Sequence, residues 1–400
     1  MRIATPQLYS GALNEMQEKW SQIERLQQQL SSAERILAPS DDPVAAARIM
    51  ELTEALASTE QYQANADMAY HRLTLEETTL ASASDILQRA RELVVQGRNG
   101  HLTPQDRGFI ADEVSEQLHA LIQLANTKDS NGEYLFAGFK RHTEPFAKSA
   151  SGAVSYNGDL GQRSLQIGPS RQIADGDSGQ EVFMTIRNGN GTFVVAASDA
   201  NAGTGVVRQG TVTDISAYAD HNFRIVFTAA DTYDVIDDTA STAVLTGQSY
   251  MEGAVISFNG METSISGEPA ASDVFTVTPS ANQSVFQTVN NVIAALESDL
   301  GAPAAKAQFN TNLGQALGDI DLALGKILET RASAGARLKA VDAQKSANED
   351  VAMDLEAARS ILKDLDYVEA ISRLNDEMTA LQAAQKAFVQ VRNLSLFSFL

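Results

Sequence analysis

The chain contains no cysteine, so neither disulfides nor thiolate metal sites hold it together. Positive charge is scarce: 30 Lys and Arg stand against 51 Asp and Glu, a formal net charge of -21. Binding a phosphate backbone needs a face on which cations prevail and release counterions, so no nucleic acid partner is expected. No run of about 18 apolar residues occurs, which argues against membrane insertion. The opening MRIATPQLYSGALNEMQ has no apolar stretch followed by a small-residue cleavage site. A Sec-type leader is therefore not expected, and export would need another route.

Recognisable reaction chemistry is missing as well. The histidines His71, His101, His119, His142 and His221 share no metal-ligand spacing. There is no G-x-S-x-G elbow, Walker A loop or G-x-G-x-x-G fingerprint. Asp175-Gly176-Asp177-Ser178-Gly179 opens like a calcium loop, but Ile186 stands where the twelfth position needs a bidentate Glu, so a solvated turn is expected. Adjacent acids such as Asp237-Asp238 arise easily in so acidic a chain and do not by themselves indicate glycosidase chemistry. No catalytic residue, cofactor or metal is expected.

What is present is helical periodicity at both ends. With 400 residues and 44% hydrophobic content, the chain can bury a core and divide into two or three domains. From residue 8 to 37, Leu13, Met16, Trp20, Ile23, Leu26, Leu30, Ala33 and Leu37 recur three or four apart. At the C-terminus Leu355, Ala358, Leu362, Leu365, Val368, Ile371, Leu374, Met378, Leu381, Ala384, Phe388 and Val391 continue the same device. Each stripe is one sticky helical face that needs a partner. The break Pro39-Ser40-Asp41-Asp42-Pro43 ends the first helix, and Asp42 before Pro43 is an N-cap restart. From there Ile49, Leu52, Leu56, Ala66, Tyr70, Leu73, Leu80, Leu87 and Val94 are read as one seven-residue register to about Gly97, a helix of about 50 residues and roughly 75 Å. Another helix runs from Pro104 to about Thr127.

After Asp129-Ser130-Asn131-Gly132 the period becomes two. Strands are expected at 134–137, 181–186, 193–196, 222–227, 232–236, 254–258 and 274–278. Asn259-Gly260 marks a type I′ hairpin. Helices return at 286–300 and 304–363, with Gly314, Gly318, Gly325 and Gly335 read as sites of close helix packing, and Asp364 to Tyr367 as a short break. The fold class is α+β: a long antiparallel helical bundle or coiled coil from both terminal segments, with a mainly antiparallel β insert between them. The expected segments are an N-terminal assembly helix (1–40), an N-terminal arm (41–129), the β insert in two small subdomains (130–283), a C-terminal arm (284–363) and a C-terminal assembly helix (364–400). Burying one stripe recovers less than ordering about 30 residues costs, so the ends are expected to be mobile in the monomer and to fold on assembly.

The run from Leu30 to Ala46, LSSAERILAPSDDPVAA, resembles the "LS-x-G-K/R…PSDDP-x-A" segment of bacterial flagellar hook-filament junction proteins, the FlgL or third hook-associated type. Ala33 stands where that family usually has Gly or another small residue. Asn131 to Phe139, NGEYLFAGF, followed by Pro145-Phe146, is similar to its "DG-x-YLFAG…PF" run, and Ser395-Leu396-Phe397 resembles its "SLF" ending. Flagellins share the helical ends but typically carry "KDDAAGLAI" at the break and lack the YLFAG run. The resemblance implies a structural adaptor, exported unfolded by the flagellar type III route into the extracellular flagellum. It implies contacts with the hook-side first hook-associated protein, with flagellin and with copies of itself, and an export chaperone at the C-terminal amphipathic region, about Leu362 to Leu394. The assembly interface is placed at Leu13, Met16, Trp20, Ile23, Leu30, Leu374, Met378, Leu381, Phe388 and Val391. The joint between inner and outer helices is placed at Pro39, Asp41, Asp42 and Pro43. Two alternatives stand beside it: a flagellin-like filament subunit, and an extracellular glycan-binding or hydrolytic protein with a cleft of convergent carboxylates or aromatics in the insert.

Overall fold

The computed structural model describes residues 5–150 and 152–393. The chain forms two compact units, one from residues up to 64 and from 344 on, the other from 65 to 343.

In the first unit, helix α1 (Thr5–Ser32) pairs with the C-terminal helix, Tyr367–Asn393. Helix α1 stops five residues short of Leu37, the expected end, because Ala33 turns into the left-handed region at φ 63°. That is the C′ conformation that ends many helices and that glycine, which has no Cβ, adopts most readily. Leu37 then lies in the connecting turns. Helix α2 (Pro43–Gly97) starts at the expected restart, where the Ala45 N–H donates to Asp42 Oδ1 at 3.0 Å. Along α2 one seven-residue line, Leu52, Thr59, Ala66, Leu73, Leu80, Leu87 and Val94, is buried throughout, while Ile49, Leu56 and Tyr70 fall on a second line of the same period and are half-buried.

In the second unit, α3 (Pro104–Ala125) opens with a reciprocal Thr103–Asp106 capping box. Between it and the next α-helix the described residues form fifteen strands. The first four make two hairpins, β1 (Phe146–Lys148) with β2 (Val154–Tyr156) and β3 (Ser164–Gly168) with β4 (Arg171–Ala174). Next come β5 (Ile186–Arg187), β6 (Phe193–Ala197), β7 (Val206–Val207), β8 (Thr211–Val212), β9 (Phe223–Ala229), β10 (Thr232–Asp237) and β11 (Thr242–Ser249). The last are β12 (Val255–Phe258), β13 (Met261–Ser266), β14 (Val274–Pro279) and β15 (Asn282–Gln283). Helices α4 (Val285–Leu296) and α5 (Pro303–Lys363) follow, and Tyr367–Asn393 is α6.

An antiparallel sheet ordered β11-β10-β9-β14-β6 faces a smaller sheet of β12, β13, β7 and β8 across one apolar core that includes Phe223, Ile225, Phe227, Ile256, Ile265 and Phe275. Burial alternates along β9 and β10, which is why these strands carry a clean period of two. Asn259 and Gly260 take φ 45° and 71° between β12 and β13, the hairpin expected there. The edge strand β6 is closed by α5: the Gln308 side-chain amide donates to the Ala197 carbonyl at 3.3 Å and the Gln315 amide to that of Val195. Side-chain amides thus stand in for a missing strand and blunt one edge.

The helical core is separate. Leu80 and Leu87 of α2, Val114 and Leu118 of α3, Phe286 and Val289 of α4, and Leu313 and Ile320 of α5 meet in it. Phe136, Phe146 and Phe183 from the early insert join them, with Phe136–Phe183 and Phe146–Phe286 ring centroids each 5.1 Å apart. The stretch 130–187 is therefore bound into the helical body rather than forming a subdomain of its own.

Several expectations give way here. Residues 181–185 do not form a strand, and only Ile186 of the expected run enters one; Gln180–Met184 is a π-helical turn in which the adjacent Val182 and Phe183 are both fully buried, which alternation would forbid. The 134–137 run is not a strand either: Leu135, Phe136 and Ala137 are all buried, and the Tyr134 and Leu135 carbonyls accept from the Arg72 guanidinium instead of a ladder. Strand β11 is not announced by a period of two, because it is mostly exposed and its burial does not alternate. Close helix packing explains none of the four α5 glycines: a Cβ at Gly318 would meet the Gln209 side-chain amide from the β insert, and nothing lies within 4 Å of one at Gly314, Gly325 or Gly335. Asp175 to Gly179 is not a solvated turn, since Asp175 and Ser178 are 2% and 4% exposed.

Candidate assembly interface

Helices α1 and α6 run antiparallel. Tyr9 meets Phe388 edge-on with centroids 5.8 Å apart, Lys19 Nζ lies 2.8 Å from Glu377, and Lys363, just before α6, pairs with Glu34 at 2.8 Å. The covered positions step by three and four on both: Tyr9, Ala12, Met16, Lys19, Ile23, Leu26 and Leu30 on α1; Ala370, Leu374, Glu377, Leu381, Ala384 and Phe388 on α6. That spacing is a coiled-coil seam inside one chain. Ile23 and Leu381 are its buried apolar centres, at 4% and 6% exposure.

Of the residues placed at the assembly interface, Met16, Ile23, Leu30, Leu374, Leu381 and Phe388 line this internal seam. Leu13, Trp20 and Met378 stay outside it, at 48%, 53% and 43% exposure. Val391 lies in α6, but its side chain is outside the described residues, as are residues 395–397. Leu13 and Trp20 are one heptad apart, as are Met378 and the exposed Ile371. Each helix therefore carries a second apolar stripe that the first does not cover.

The joint at the break is built from carboxylates and crossed backbones. Asp41 Oδ2 accepts from the Leu37 and Ala38 N–H groups, both at 3.1 Å, while its other oxygen meets Arg25 at 2.5 Å. Burial opposes its charge, but these N–H groups and Arg25 outweigh it and hold the carboxyl below the usual carboxylate range. Asp42 caps α2, Pro43 is its first residue, and Pro39 is exposed. Opposite them, the Arg35 N–H donates to the Lys363 carbonyl at 2.7 Å, its guanidinium to that of Leu362 at 2.9 Å, and the Leu365 N–H to that of Ala33 at 3.0 Å. Asp366 caps α6, accepting from the Val368 and Glu369 N–H groups at 2.9 and 3.1 Å. The breaks before α2 and before α6 thus lie side by side. The residues missed in the sequence, Arg25 and Arg35, bond to groups that no local pattern announces.

The second unit holds a cleft of about 680 Å³ lined by His71, Arg72, Asp129, Glu133, Arg141 and Arg163 among others. Its carboxylates are engaged: Asp129 with Arg72 and Glu133 with Arg141, each at 2.7 Å. Deeper in the same unit Asp175 pairs with Arg163 and Asp177 with Arg337. No group of three or more metal-ligating side chains occurs among the described residues, and no helix among them is long and apolar enough to cross a membrane.

A chain that brings its ends together as an antiparallel helical pair and holds a β insert between them has the architecture of the flagellin-type proteins. Residues 3–141 match the bacterial flagellin N-terminal helical region. The flagellar hook-associated protein 3 of Escherichia coli K12 is 26% identical over 397 residues, 99% of each chain. Xanthomonas campestris FlgL is 37% identical, with a TM-score of 0.73 over 77% of this chain and 99% of that one. The flagellar junction protein FlgL from Legionella pneumophila is 36% identical, with a TM-score of 0.72 over 80% of this chain and all (100%) of that one. This chain belongs to the hook-associated protein 3 (FlgL) family of flagellar junction proteins.

Proposed function

We propose that the chain is a non-catalytic adaptor in the extracellular flagellum, joining the hook-side first hook-associated protein to flagellin through contacts that also bind its own copies. The observation that carries this is the second apolar stripe of Leu13, Trp20, Ile371 and Met378, left uncovered by the internal seam. Exposed apolar surface of this kind marks an interaction site. An export chaperone would cover the same C-terminal helix before assembly, and Pro39, Asp41, Asp42 and Pro43 would set the angle between inner and outer helices. A hydrolytic role finds less support, because the carboxylates of the large cleft are held in ion pairs.

Chains lacking residues 1–30 or 370–400 should keep a folded body yet fail to restore filaments in a strain deleted for the gene. Normal incorporation of either would sink the adaptor reading. The flagellin-like alternative is tested by the intact protein alone, which should not polymerise into long filaments.

A further inference from the structure

The loops between α2 and α3 and between α4 and α5 close around a second cleft, of about 390 Å³, lined by Arg98, Arg107 and Lys306 with Asp299 as the carboxylate. Cations prevail there although acids outnumber bases 51 to 30 in the whole chain. Arg107 is 7% exposed. Its guanidinium lies 5.7 Å from the Phe309 ring centroid and donates to the Ser298 carbonyl at 3.3 Å, but its Nε has no acceptor and no carboxylate pairs with it among the described residues. Arg72, equally buried, is answered by Asp129 at 2.7 Å. A buried cation without an anion is the anomaly, because burial of charge is tolerated when it is paired.

Asp299 does not fill that role; its Oδ1 accepts from the Gly301 N–H at 3.0 Å. The start of α3 is already neutralised by Asp106, whereas α5 begins at Pro303 with no acidic residue in its first turn. The positive end of the α5 dipole therefore adds to the same field. The forked guanidinium of an arginine suits a carboxylate better than a spherical anion.

We propose that this cleft binds a carboxylate supplied by an acidic side chain of a neighbouring copy of this chain. The neighbouring-copy source rests on the assembly role above and on charge complementarity: each copy carries 51 acidic residues and a net charge of -21, and assembly holds them at high effective concentration.

Sodium succinate is the probe. Calorimetric titration into the full-length protein at low salt should show saturable binding, weakened roughly tenfold or more in the Arg98→Gln/Lys306→Gln double variant. Both side chains are exposed, so the variant should melt as the wild type does, and Arg98→Lys should retain binding. In a deletion strain the double variant should shed filaments that the wild type and Arg98→Lys hold. Failure of succinate to bind overturns the site. Saturable binding with normal filament retention by the double variant overturns the neighbouring-copy source. The truncation lacking residues 1–30 tests the assembly role separately, so the two failures are distinguishable.

Discussion

Glu76 is buried among groups drawn from distant parts of the chain. Its Oε1 accepts from the Asp177 N–H at 3.0 Å, and its Oε2 has no partner. In the surrounding network four guanidiniums, of Arg72, Arg141, Arg163 and Arg337, meet five carboxyls, of Glu76, Asp129, Glu133, Asp175 and Asp177. Burial, then repulsion from Asp177, pushes Glu76 up to about 8 from 4.5, against the pull of Arg337 and Arg72. A protonated Glu76 leaves the charges balanced. Because its folded value is raised, the folded state keeps a proton that the unfolded state has lost between pH 4.5 and about 8, so stability falls as pH climbs through that window. Urea midpoints should therefore decline from about pH 5 to about pH 9 in the wild type and stay flatter in Glu76→Gln; a variant as steep as the wild type would assign the slope to other groups. The sequence announced an acidic turn at 175–179 but not its burial, because Arg72 and Arg337, which neutralise it, lie about 100 and 160 residues away.

At the scale of elements, α1 and α6 each carry two apolar stripes with different duties. Leu381→Ala removes a buried seam residue and should cost about 2 kcal/mol or more, read as a lower urea midpoint. Trp20→Ala, at an exposed position, should change stability by no more than about 0.5 kcal/mol yet impair filament retention in a deletion strain. Equal loss of stability in the two variants would show that the stripes are not distinct. The three-and-four spacing was legible, as were the breaks at Pro39 to Pro43 and Asp364 to Tyr367. Assigning the stripes was not: Leu13 and Trp20 repeat every seven residues just as Met16 and Ile23 do, and only the placement of the partner helix decides which pair is covered.

For the whole molecule, the sheet core and the helical core share no residue. The ends of the sheet segment meet where the Ser280 N–H donates to the Thr192 carbonyl at 2.8 Å. Deleting residues 193–279 and closing the gap with a short glycine linker should therefore leave a helical protein by circular dichroism that still restores filaments; an insoluble or non-helical product would show that the sheets support the body. By itself the sequence determined the helices, most of the alternating strands, the caps and the helix breaks, because periodicity and capping are local properties of neighbouring residues. Tertiary structure decided that Phe136, Phe146 and Phe183 belong to the helical core, that the acidic turn at 175–179 is buried, and that the internal seam leaves Leu13, Trp20, Ile371 and Met378 exposed. Each of those outcomes depends on a partner hundreds of residues away or on another element, and no local pattern encodes it.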